Sequence, residues 1–307
     1  MKVVIIIPVY NECPTLEPLV EGIAEHIGPH EHRILFVDDG STDGSYEVLT
    51  RLRAEKPSVD FIKFRTNCGK TRALASAFDR AQGDVVVTMD GDLQDDPKEL
   101  PRMFAKLDEG YDLVCGWKRT RHDPLTKVIP SRIYNKCVSW IFGLALHDIN
   151  TGFKAMRMEV AKRLPLYSDM HRLIPVFAAH LGYHITEIPV EHHPRLYGKS
   201  KYGFERYARG AIDAFIAWFL TTHGDAPGRF FTKAGAVQGF VGLMLAVLAV
   251  VLAGVWPHPL FDLALLMAGL LGVLAGMGCF GAGILAELLI HRVPPPSPDV
   301  HIEEEHM

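Results

Sequence analysis

Two nearly uncharged stretches close to the C-terminus set the terms on which this chain can fold. Ala234–Trp256 is an apolar run of about 23 residues. As a helix it would extend roughly 35 Å at 1.5 Å per residue, enough to cross a bilayer. Pro257-His258-Pro259 breaks it, and Leu263–Ala286 follows as a second run of spanning length. A buried helical hairpin in a water-soluble protein is the alternative, and two consecutive runs without Lys or Arg argue against it. Gly235-x-x-x-Gly239 and Gly272-x-x-x-Gly276 would let the two helices approach closely. Arg229 and Lys233 precede the pair, Arg292 follows it, and the connecting turn has no Lys or Arg. The positive-inside rule therefore places both termini, and the large N-terminal part, in the cytoplasm of a two-span membrane protein.

Residues 1–230 have a different character, with charges throughout. The formal net charge of −4 gives no basic footprint, so nucleic acid is not expected as a partner. Five scattered cysteines (Cys13, Cys68, Cys115, Cys137, Cys279) form no C-x-x-C pair, which argues against structural zinc or a disulfide framework and fits a reducing compartment. Val3–Ile7 is too short for a signal peptide and Pro8 follows it, so it reads as a buried first strand. Strands at Val3–Ile7, Ile34–Val37, Phe61–Phe64 and Val85–Met89 alternate with helices at Leu16–Ile27, from Ser41 to about Glu55, and Thr71–Ala81. That alternation predicts an α/β sheet with helices on both faces. Leu113–Cys115 reads as a further strand, Arg132–Leu144 as a helix, and Ile185–Val190 as an edge strand because Pro189 cannot donate to a ladder. Gly203–Thr222 is amphipathic: Phe204, Tyr207, Ile212, Phe215, Ile216 and Phe219 are expected on one side, with Glu205, Arg206, Arg209 and Asp213 facing water. It reads as an interfacial helix or an ordinary core-packing helix. The expected divisions are 1–203, a catalytic domain; 204–233, a juxtamembrane segment; 234–290, the transmembrane hairpin; and 291–307, an unstructured Pro-rich and acidic tail.

Ligands of such sheets bind beyond the carboxyl ends of the strands. Three polar clusters fall there: Pro8–Glu12, Asp38–Gly40 and Asp90–Gln94. The last is the most telling. A β-branched run, Val85-Val86-Val87, leads into Asp90-Gly91-Asp92-Leu93-Gln94-Asp95-Asp96, where like charges crowd together. A divalent cation bridging carboxylates to substrate phosphates would neutralise them, and hard oxygen donors suit Mg2+ or Mn2+. Asp90 and Asp92, at i and i+2, would point to one side if the strand continued. Asp39 is a candidate acceptor for a ribose or base, while Ser41 or Thr42 would cap the helix that follows. Tyr10 and Glu12 would line a nucleoside slot. Asn67-Cys68-Gly69-Lys70-Thr71 is not a P-loop, because Phe64 stands where the first Gly would be. Lys70, at a helix start, can still meet a phosphate.

The order Pro-Val-Tyr-Asn-Glu, Asp-Asp-Gly-Ser-Thr-Asp-Gly, Asn-x-Gly-Lys and Asp-x-Asp-Leu-Gln-Asp-x-Pro resembles family 2 glycosyltransferases of the GT-A fold. More closely it resembles polyprenyl- and dolichyl-phosphate sugar synthases. His147-Asp148-Ile149-Asn150-Thr151-Gly152-Phe153-Lys154 is similar to the Gly-Phe-Lys segment of that subgroup, and Gly198-Lys199-Ser200-Lys201-Tyr202 to its Gly-x-Ser-Lys-Tyr motif. The likeness covers roughly residues 3–210, and some members carry a C-terminal transmembrane hairpin. It implies a GT-A-type mixed sheet flanked by helices. It also implies inverting transfer of a hexose from a GDP-mannose or UDP-glucose type of donor to a polyprenyl or dolichyl phosphate at the bilayer. Pro8, Tyr10, Glu12, Val37, Asp39, Lys70, Asp90 and Gly91 would contact the nucleotide sugar, and Asp90, Asp92 and Gln94 the metal. Arg119, Arg132, Lys201 and Arg206 are the candidates for the acceptor phosphate, with Asp148 orienting the acceptor or a basic residue. Members often have Ser-Arg after the Leu113–Gly116 strand. Trp117-Lys118-Arg119 stands here instead, which leaves open whether Lys118 or Arg119 takes that place. Other readings are a non-catalytic membrane-anchored scaffold and a processive polysaccharide synthase. The intact Asp90/Asp92/Gln94 set opposes the first, and the missing Gln-x-x-Arg-Trp motif and the two spans oppose the second. A homo-oligomer is left open.

Overall fold

A computed structural model describes residues 1–119, 125–194, 205–224, 226–256, 258–292 and 302–306. It divides into two compact units, Met1–Trp218 with Ser297–Met307, and Phe219–Pro296. In the first unit β1 (Lys2–Val9), β2 (Glu31–Asp38), β3 (Val59–Phe64) and β4 (Val85–Thr88) run parallel. β5 (Leu113–Lys118) reaches β4 only through the antiparallel β6 (Lys154–Arg157), and β7 (Ile185–Val190) lies parallel to β5 at one edge. At the other edge β8 (Ile302–His306) pairs antiparallel with β3, giving the order β7-β5-β6-β4-β1-β2-β3-β8. An unstructured tail is therefore not what these five residues form: the open edge of β3 offers unpaired backbone groups, and the tail satisfies them.

The strands read as continuous apolar runs because both faces of the sheet are covered. Val3, Ile5, Ile7 and Val9 of β1 pack with Leu16 and Leu19 of α1 (Leu16–His26), Leu49 and Leu52 of α2 (Ser45–Glu55), and Met103 and Phe104 of α4 (Leu100–Asp108). Val4 and Ile6 face the opposite layer, with Leu74, Ala77 and Phe78 of α3 (Lys70–Arg80). A third core joins Val138 of α5 (Leu125–Phe142), Val176 and Phe177 of α7 (Ile174–His180), and Ala214 and Ala217 of α8 (Glu205–His223), while the short α6 (Met158–Arg163) packs in the second layer. α5 begins seven residues before the expected Arg132 and carries Pro130 inside it, although a proline favours a helix start. The amphipathic reading of α8 holds for Ile212 and Phe215, which are exposed, and fails for Asp213. Asp213 is buried, accepts from Ser168 Oγ at 3.3 Å, and has its pKa raised by burial.

The second unit holds the end of α8 and a pair of helices, α9 (Pro227–Val255) and α10 (Pro259–Arg292), both long and apolar enough to cross a bilayer. They meet through glycines. A Cβ on Gly235 would lie 2.5 Å from Gly276 O, and one on Gly242 2.6 Å from Gly269 O. Close backbone approach of this kind is how small residues let apolar helices associate. Val237, Phe240, Val241, Leu263 and Leu270 point outward.

Candidate active site

β4 ends at Thr88, so Asp90 and Asp92 lie in a turn rather than on a strand, and the expected i, i+2 strand alignment does not apply. Leu93 takes a positive φ of 59°, a costly conformation for a branched residue, which folds the turn back on itself. Asp92 is buried and its Oδ1 accepts from Gln94 N at 3.2 Å. Gln94 is tied to the end of β7: its Nε2 donates to His193 O at 3.2 Å, and its own carbonyl accepts from His193 N at 2.9 Å. Thr15 Oγ1 donates to Gly91 O at 2.5 Å, which secures the turn from the β1 side.

Asp90 forms an ion pair with Lys70, the first residue of α3. Burial pushes its carboxyl pKa up, but the charges of Lys70 and Lys118 outweigh this and hold it well below the usual carboxylate range. Gly152 packs directly on this carboxylate: a Cβ there would sit 2.6 Å from Asp90 Oδ2. Lys118 is anchored by Asp95, with Nζ to Oδ1 at 2.7 Å. Burial lowers its pKa, and Asp95 and Asp90 more than reverse that, so it stays charged. His171 meets Thr71 Oγ1 through Nδ1 at 2.7 Å. Desolvation, with Lys70 and Arg172 nearby, drives its pKa well below the ordinary value and leaves it neutral at pH 7.

The second cluster is built by exchange between loops. Asn11, at a positive φ of 54°, accepts from Thr42 N at 2.8 Å and donates its own N–H to Ser41 Oγ at 2.9 Å. Ser45 Oγ accepts from Glu12 N at 3.2 Å. Asn11 and Glu12 are thus fixed against the turn that follows β2 and the start of α2. Asp39 accepts from Cys68 N at 2.6 Å and Gly69 N at 2.9 Å, so its carboxylate positions the loop that delivers Lys70. Burial raises the pKa of Asp39 and of Asp38.

A cavity of about 400 Å³ opens beyond β5, lined by Trp117, Lys118, Arg119, Arg132, Asn135 and Asp148 among others. Trp117 stacks on His147 with ring centroids 4.1 Å apart, and His147 pairs with Glu187 of β7. Asp148 is 1% exposed and accepts from Asn135 Nδ2 of α5 at 3.0 Å. Lys118 links this cavity to the carboxylate turn, because it lines the one and is paired into the other.

Residues 4–173 match the family model for glycosyl transferase family 2. The chain belongs to glycosyl transferase family 2. It is 32% identical over 296 residues to a dodecaprenyl-phosphate galacturonate synthase of Rhizobium johnstonii, covering 94% of this chain and 88% of that one. It is 33% identical to an undecaprenyl-phosphate 4-deoxy-4-formamido-L-arabinose transferase of Shewanella sediminis, covering 90% of this chain and 85% of the relative. Among solved structures, a mannosyltransferase of Pyrobaculum calidifontis in complex with GDP-Man and Mn2+ aligns over 96% of this chain and 76% of that one, with a TM-score of 0.52 and 20% identity. Glucosyl-3-phosphoglycerate synthase of Mycobacterium tuberculosis, in complex with Mn2+, UDP-glucose and glycerol 3-phosphate, aligns over 72% of this chain and 79% of that one, with a TM-score of 0.53 and 18% identity. The fold is of the GT-A type.

In this glycosyltransferase Asp90, Asp92, Gln94 and Lys70 converge on one turn, whereas Arg119, Arg132 and Asp148 line the adjoining cavity. Both alternatives, Lys118 and Arg119, line the cavity, and Lys118, the last residue of β5, is in addition paired with Asp95. Val37 is wholly buried in the second core layer, next to Asp38 and Asp39. Lys201 and the Gly198–Tyr202 motif lie outside the described residues, as does the side chain of Arg206. The hard oxygen donors of the turn fit a divalent cation, and Lys70 already holds a positive charge against Asp90. A second cluster, Asp96, Glu191 and His193, brings ligand atoms within 4.8 Å of one another. Lys98 bridges it, at 3.0 Å from Asp96 and 2.6 Å from Glu191.

Sequence reading missed Gly152, Asn135 and Lys154 as working parts. Lys154 is buried at the start of β6 and donates to Thr151 O, pinning the loop that carries Gly152. Burial lowers its pKa to about 8. The unfolded side chain titrates near 10.5, so between pH 8 and 10.5 the unfolded state binds more protons and stability rises with pH. Lys154→Met is therefore expected to gain most relative to wild type below pH 8. That difference should shrink by about 1–3 kcal/mol on the way to pH 10.5. Thermal denaturation in detergent at both pH values checks it, and a difference independent of pH overturns it.

Proposed function

We propose that this enzyme transfers a sugar from a nucleotide-diphosphate donor, of the GDP-mannose or UDP-glucose type, to a polyprenyl or dolichyl phosphate with inversion at the anomeric carbon. The observation that carries this reading is the junction of the two sites. An acidic, metal-competent turn adjoins a cavity walled by Arg119 and Arg132, with Lys118 shared between them. The curated relatives named for polyprenyl-phosphate transfer support the acceptor. Mg2+ or Mn2+ held by Asp90, Asp92 and Gln94 would neutralise charge developing on the leaving diphosphate. Tyr10 and Glu12 would hold the nucleoside, and Asp39 would set the loop that brings Lys70 to the phosphates. The acceptor phosphate is anionic at pH 7, so it needs positioning more than deprotonation. Arg119 and Arg132 would aim it, and Asp148, held by Asn135, would orient the cationic wall. The hairpin would keep the catalytic unit at the cytoplasmic face.

Incubation of the purified protein with labelled nucleotide sugar, polyprenyl phosphate and Mn2+ should give a chloroform-soluble monosaccharide lipid. Polymer would point to a polysaccharide synthase, and donor binding without product to a scaffold. Arg132→Ala should raise the KM for polyprenyl phosphate by about 10-fold or more, the worth of one charge-assisted hydrogen bond, with the donor KM little changed. An unchanged acceptor KM would remove Arg132 from the acceptor site.

A further inference from the structure

The second unit contains a cavity of about 630 Å³ between the last turn of α8 and the first turns of α9. His223, Arg229 and Lys233 supply its polar wall, Phe230 and Val237 its apolar wall, and Gln238 its deeper end. The walls are built rather than incidental. His223 packs on Phe230 with ring centroids 4.8 Å apart, and Phe219 meets Phe230 edge-on at 5.3 Å, which locks the end of α8 against α9. Ala226 N donates to His223 O at 3.1 Å, and Arg229 N to Ala226 O at 3.2 Å, which fixes the turn between the helices. Arg229 and Lys233 are exposed, and among the described residues no carboxylate forms an ion pair with either. Glu287 of α10 is engaged elsewhere, accepting from Gly228 N at 3.0 Å.

We propose that this cavity seats the phosphodiester headgroup of an anionic glycerophospholipid. Arg229 and Lys233 would bind the phosphate, and an acyl chain would run along Val237 and the exposed face continued by Phe240 and Val241. Basic pockets beside membrane helices are suited to such headgroups. Gln238 decides between lipid classes. It lies five residues beyond Lys233, roughly 7.5 Å deeper along the helix. Cys279 Sγ donates to its Oε1 at 3.7 Å, which turns the amide oxygen to α10 and leaves the NH2 as a donor on the other side. A glycerophospholipid presents ester carbonyls just below its phosphate, and these are acceptors for that donor. A polyprenyl phosphate presents only hydrocarbon there. The site would tether the juncture of α8 and α9 at the interface.

This inference rests on the membrane placement in the reading above, not on its chemistry, so a protein that makes lipid-linked sugar and retains no phospholipid fails here alone. The full-length protein is reconstituted in vesicles of phosphatidylcholine and phosphatidylglycerol at increasing phosphatidylglycerol content, and lipid retained after gentle extraction is counted by mass spectrometry. Wild type should retain phosphatidylglycerol several-fold above the vesicle ratio and saturate near one molecule per chain. The pair Arg229→Gln with Lys233→Gln, and separately Val237→Trp, which fills the cavity without touching the charges, should both fall to the vesicle ratio. Retention that rises without saturation in wild type overturns the proposal, as does enrichment that survives Val237→Trp, because both mean diffuse attraction. Displacement by equimolar undecaprenyl phosphate also overturns it and gives the cavity to the acceptor.

Discussion

Asp92→Asn is expected to lower the transfer rate by about 10²–10³-fold, the loss that follows removal of one preorganised electrostatic group from a reacting centre. Asp92 is the sharper test of the two carboxylates because its replacement leaves the Lys70–Asp90 ion pair in place, while Asp92 itself is buried at the bend of the turn. Asn preserves the shape and can still accept from Gln94 N, so the turn should persist and only the charge is lost. Titration with Mn2+, followed by electron paramagnetic resonance, should show weakened metal binding in step with the rate. Retained transfer with bound metal would sink the assignment of the turn.

Gly152→Ala should lose about 100-fold in kcat/KM at a modest cost in stability. The backbone at Gly152 does not have a positive φ, so Ala is not excluded by conformation. The added methyl would instead sit 2.6 Å from Asp90 Oδ2 and 2.8 Å from Asp90 Cγ. A side-chain carboxylate can swing aside, so the stability penalty is that of mild overpacking, about 1–3 kcal/mol. The swing, however, would take Asp90 from Lys70 and from the metal it is proposed to hold, and a displacement of this order at a reacting centre costs on the order of 100-fold. Steady-state rates together with the Tm separate the two effects. Wild-type rates in a folded Gly152→Ala protein would show that Asp90 need not be held there.

The charged turn was legible because its residues are contiguous. Val85-Val86-Val87 followed by Asp90-Gly91-Asp92 announces both a strand and what lies at its end. The alternation of strands and helices likewise predicted a sheet with helices on both faces, and the uncharged runs predicted α9 and α10. The antiparallel β6 between β4 and β5 was not legible, because Lys154–Arg157 is four residues long and its pairing spans more than sixty residues of chain. Asp213 was misread for a related reason: helical periodicity assigns a face, but it does not show that the polar face meets Ser168 rather than water.

By itself, then, the order of residues determined the family, the class of chemistry and the presence of two membrane-length helices, since each rests on local pattern and on motifs read in a line. Only tertiary structure decided how those parts work together. It paired Lys118 with Asp95 beside the cavity that Arg119 also lines, it joined Asn135 to Asp148, and it brought Gly152 against Asp90 from 62 positions away in the chain. The physical reason is that charge pairing and close packing act through space over a few ångströms. Which distant residues share those few ångströms is set by sheet order and not by sequence spacing.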